Sequence, residues 1–64
     1  MQELRERFGY GELRPGRMYV MHVQEKNERC EFNDEDSLCM VIRGHLAVDP
    51  EVQLTVVQLA RGDS

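Results

Sequence analysis

The chain is short of several things at once. It has 64 residues, two cysteines, four aromatic residues and a single lysine, Lys26. Two cysteines, Cys30 and Cys39, are too few to frame a disulfide scaffold. In a cytosolic chain each serves as a small buried apolar residue. No run of 18 apolar residues exists, so no membrane-spanning segment is expected. The segment Met1 to Arg7 is mixed in charge and lacks an apolar stretch, so it does not read as a secretory signal. A cytoplasmic location is the expectation.

What is present fits a small folded protein. The chain is 41% hydrophobic and 31% charged, a balance of globular rather than disordered sequences. Its length fits one domain, near the lower limit of what folds unaided. The net charge of −4 is unevenly spread. Residues 1–17 carry Arg5, Arg7, Arg14 and Arg17 against Glu3, Glu6 and Glu12. Residues 25–36 carry Glu25, Glu28, Glu31, Asp34, Glu35 and Asp36 against Lys26 and Arg29. An acidic total disfavours binding to a nucleic-acid duplex, whose phosphates reward excess positive charge.

The pattern along the chain predicts a small α+β or mostly β fold. Leu4 and Phe8, four apart, suit a short N-terminal helix or arm, and residues 1–16 are assigned to it. Gly9, Gly11, Pro15 and Gly16 then break the chain. Residues 17–60 are read as an antiparallel sheet. From Arg17 the period is two: Tyr19, Met21 and Val23 on one face, Met18, Val20 and His22 on the other. Lys26-Asn27 marks a tight turn, with Asn27 tolerant of a left-handed backbone. A weaker strand, Arg29 to Phe32, follows. Asn33 to Ser37 reads as a turn, with Asp34, Glu35 and Asp36 as an acidic tip.

The apolar run Leu38-Cys39-Met40-Val41-Ile42 is the most distinctive stretch. Read as strand, Leu38 to Val48 is the central strand of the sheet, with both faces apolar. Asp49-Pro50-Glu51 is the next reversal. Val52 to Ala60 forms the last strand, and residues 61–64 a frayed tail. The expected architecture is a three- to four-stranded antiparallel meander, either a small barrel or a dimeric sheet. A chain this short rarely covers both faces of a sheet, so a second copy is the natural cover. In such a homodimer Cys39, Val41, Val57 and Leu59 would form the contact, over a core of Leu38, Met40, Ile42, Leu54 and Val56.

Motifs for chemistry are sparse. Cys30, Cys39, His22 and His45 include the residue types of a zinc site, but neither C-x2-C nor H-x3-5-H occurs. No metal or cofactor is expected. Asn33 to Asp36 lacks the alternating ligands, glycine and closing glutamate of a calcium loop. A thiol nucleophile needs an adjacent base, and Cys39 lies in the most apolar run. No enzyme is expected. Arg61-Gly62-Asp63 resembles integrin-binding adhesion sequences, but a three-residue match carries no weight. The functional expectation is a non-enzymatic protein–protein interaction module. It would self-associate and act as a small accessory or inhibitory and regulatory protein. The alternative is an RNA or single-stranded DNA binder using Phe8, Tyr10, Arg14 and Arg17, since rings stack on bases and Arg pairs with phosphate.

Overall fold

The computed structural model describes residues 2–62. The elements, in order, are α1 (Gln2–Phe8), β1 (Arg17–Val23), β2 (Glu28–Phe32), α2 (Glu35–Val48) and β3 (Leu54–Ala60). The fold is small α+β: an N-terminal helix, then an antiparallel three-stranded sheet with a second helix inserted before its last strand. The strand order is β2-β1-β3, so β1 is central and both its neighbours run antiparallel to it. The sheet is open rather than closed into a barrel.

Local chemistry sets most boundaries. Gly9 ends α1 with φ of 70°, and the N–H groups of Gly9 and Tyr10 both donate to the Arg5 carbonyl. A left-handed glycine just past the helix is the common way to satisfy those last carbonyls. Pro15 and Gly16 occupy the middle of a turn closed by Arg17 N–H to Arg14 O at 3.1 Å. Gly16 has φ of 76°, as the third residue of a type II turn requires. Asn27 takes φ of 50° in the β1–β2 connection, the left-handed conformation its side chain tolerates.

The expected strand over Leu38 to Val48 is overturned: this segment is helix α2. Asp34, in extended backbone at the N-cap, accepts a hydrogen bond from Ser37 N–H at 3.3 Å. Glu35 and Asp36 occupy the first turn, where exposed N–H groups favour negative charge. The residues read as an acidic tip between strands therefore start a helix. Leu38, Cys39 and Ile42 are buried, at helical spacing on one face. Met40, expected in the core, is 75% exposed because it lies on the opposite side of the helix.

The core lies between the helices and one face of the sheet. Tyr19, Met21 and Val23 of β1 meet Leu54 and Val56 of β3, Leu38, Cys39 and Ile42 of α2, Leu4 of α1, and Tyr10. Cys30 and Phe32 of β2 pack at its margin. Arg61 N–H donates to Gly16 O at 2.9 Å, which ties the start of the expected tail to the sheet. Asp63 and Ser64, the rest of that tail, lie outside the described residues, as does Met1.

Candidate interaction surface

Directly opposed residues in an antiparallel pair share a face, so the register divides the sheet into two surfaces. Tyr19, Met21 and Val23 face the helices with their partners. The other face carries Met18 opposite Leu59, Val20 between Val57 and Glu31, and His22 between Thr55 and Arg29. None of these residues belongs to the helix-covered core. Met18 and Val20 are buried, whereas Val57 is 51% and Leu59 38% exposed. The open face thus has an apolar half on β1 and β3.

Its other half is polar. Arg29 Nη1 donates to Glu31 Oε2 at 2.7 Å along β2, and both side chains are about half exposed. His22 Nε2 lies 3.1 Å from Asn27 Oδ1. The face grades from apolar at β3 to charged at β2, the core-and-rim arrangement of many protein contacts.

The four residues assigned from sequence to a dimer contact do not come together. Val57 and Leu59 lie on the open face. Cys39 points into the core, where its Sγ is 3.5 Å from Tyr10 Oη. Val41 packs half-buried against the same core from α2. The separation follows from the helix: residues that alternate in a strand spread around a cylinder in α2. Met18 and Val20 complete this surface, as their alternation with Tyr19 and Met21 had already put them on one face.

The basic and aromatic residues divide as well. Tyr10 is buried, with its ring edge-on to Tyr19 at 5.4 Å between centroids. Phe8 is half-buried and covered by the Arg7 guanidinium at 5.4 Å. Arg14 and Arg17 are exposed and line one shallow groove with Glu12, beside β3. The loop is pinned there by Gln58, which accepts from Arg14 N–H and donates to the carbonyls of Gly11 and Glu12.

Among the described residues, no group of three His, Cys, Asp or Glu side chains comes close enough to hold a metal ion. No helix among them is long and apolar enough to cross a membrane. Burial pushes the phenols of Tyr10 and Tyr19 above their ordinary range. Tyr19 Oη donates to the Gly11 carbonyl at 2.7 Å, and no buried side-chain polar atom among the described residues lacks a partner. These polar groups are engaged in holding the fold.

Compared with known proteins, the chain matches no family, no curated protein and no solved structure.

Proposed function

We propose that the protein is a non-enzymatic interaction module that self-associates through β3 and the apolar side chains it carries on the helix-free side of the sheet, as a small accessory or regulatory protein in the cytoplasm. The observation that supports this reading is Val57 and Leu59, exposed beside Met18 and Val20 on the face that neither helix covers. Apolar side chains clustered on an uncovered sheet face gain free energy by leaving water, and a second copy presents the same cluster. Light scattering over a hundredfold dilution, in low and high salt, tests it. The expected result is a dimer that persists in high salt and is lost in Val57→Asp. A parent protein that is monomeric at every concentration overturns it.

The alternative of an RNA or single-stranded DNA binder rests on Arg14 and Arg17 sharing one groove. It is the weaker reading, because Tyr10 is buried and Phe8 is covered, so neither ring is free to stack on a base. A complex that weakens steeply with salt and disappears in Arg14→Ala plus Arg17→Ala would reverse this ranking.

A further inference from the structure

The two edges of the sheet are unlike. β2 is five residues long, and Glu28, Arg29 and Glu31 give it charge. β3 is seven residues long, Leu54-Thr55-Val56-Val57-Gln58-Leu59-Ala60, with no charge, proline or glycine. Exposed edges are ordinarily guarded by short length, charge or proline, because their free backbone groups recruit further strands. β2 has two of these guards and β3 has none.

The register shows which backbone groups of β3 are free. Gln24 N–H donates to Gln53 O at 3.1 Å, and Arg61 N–H to Gly16 O at 2.9 Å. Hydrogen-bonded pairs recur at every second residue, so Thr55, Val57 and Leu59 turn their backbone groups towards His22, Val20 and Met18. Leu54, Val56, Gln58 and Ala60 therefore aim their N–H and C=O groups away from β1. Among the described residues, no backbone hydrogen bond from another segment reaches them.

We propose that β3 pairs antiparallel with β3 of a second copy, about a two-fold axis at Val57, joining two three-stranded sheets into one of six strands. The inference rests on the self-association proposed above and supplies its geometry. Opposed residues must share a face, so the axis has to pass through a residue, and Val57 is the midpoint that aligns the whole strand. Val56 then exchanges hydrogen bonds with Gln58 of the second copy, and Leu54 with Ala60. On the open face Val57 meets its own copy and Thr55 meets Leu59, all as close, non-hydrogen-bonded pairs. The apolar halves of the two open faces become continuous.

Charge selects this edge over the other. The acidic excess of residues 25–36 lies in the β1–β2 turn, β2 and the start of α2. Pairing through β2 would bring that excess on two copies together, whereas β3 carries no charge and the charged groups in the groove beside it, Glu12, Arg14 and Arg17, are of both signs. With charged β2 strands left at both ends, the assembly stops at two copies.

The test uses cysteines in a Cys30→Ser background, with Cys39 left buried. Close antiparallel pairs have Cα atoms about 4.5 Å apart, within the disulfide range of about 4.4–6.8 Å. Under mild oxidation Val57→Cys is expected to give covalent dimer as its main product. Thr55→Cys and Leu59→Cys are expected to cross-link with each other when mixed, and each only in traces alone. In the parent protein, the amides of Val56 and Gln58 should exchange slowly when concentrated and quickly on dilution, which carries the test even if a variant misfolds. A dimer whose Val56 and Gln58 amides stay unprotected, and in which Val57→Cys does not cross-link, overturns the edge pairing but leaves self-association standing. A monomer at all concentrations overturns both.

Discussion

Arg5 grips Glu35 with a two-pronged contact: Nε donates to Oε2 at 2.7 Å and Nη2 donates to Oε1. The pair joins α1 to the first turn of α2 across 30 residues of sequence. Planar guanidinium and carboxylate groups match in this geometry, which fixes angle as well as distance. A seven-residue helix is too short to persist by its own hydrogen bonds, so α1 depends on such docking and on Leu4 in the core.

The hydrogen bond from Arg5 holds the Glu35 carboxyl below its ordinary range. A depressed folded-state value adds stability above the unfolded value of about 4.3 and loses it as pH falls through the folded value. Thermal melts should therefore show the parent more stable than Glu35→Gln at pH 7, with the two converging in acid. A gap that stays constant down to pH 2 would mean that the ion pair contributes nothing.

Helix and strand agree at Leu38 and Ile42 and predict opposite outcomes at Met40 between them. Leu38→Ala and Ile42→Ala should each cost about 2–5 kcal/mol in urea unfolding, because both side chains are fully buried. Met40→Ala should stay within about 0.5 kcal/mol, since its side chain is largely in water. Equal costs at all three positions would restore the strand.

Asp34→Ala should lower stability by about 1 kcal/mol through loss of the bond to Ser37 N–H, and Asp34→Asn should retain most of it. Helicity followed by circular dichroism should fall with the first substitution. If Asp36→Ala costs as much as Asp34→Ala, charge in the first turn matters and the cap does not.

The two phenols set an alkaline limit. Their folded-state values are raised by burial, so the stability they contribute is present below the unfolded value of about 10 and is lost as pH rises through the folded values. Tyrosinate absorbance should therefore appear together with loss of the circular dichroism signal above pH 10. Ionisation of both phenols in a protein that remains folded would show that Tyr10 and Tyr19 are accessible.

Much of the fold is legible in the residues. The alternation from Met18 to Val23 set both the strand and its two faces, because only extended backbone turns a period of two into two surfaces. Asn27, Pro15 and Gly16 marked their turns because few residues adopt those backbone angles. Val57 and Leu59 were readable as contact candidates, since neither fits the face that carries Leu54 and Val56.

The segment from Glu35 to Val48 was decided by tertiary structure. Five consecutive apolar residues have no period, and length alone does not separate a buried strand from one face of a helix. The choice depends on what is available to bury against. Tyr19, Met21 and Val23 present one apolar sheet face, and Leu38, Cys39 and Ile42 cover it when wound at 3.6 residues per turn. That packing moved Cys39 and Val41 away from Val57 and left β3 as an uncharged edge. The sequence determined that Leu54 to Ala60 would carry no charge. The packing of α2 against the far face determined that the side bearing Val57 and Leu59 would stay open, because a single helix of that length covers one face of a three-stranded sheet.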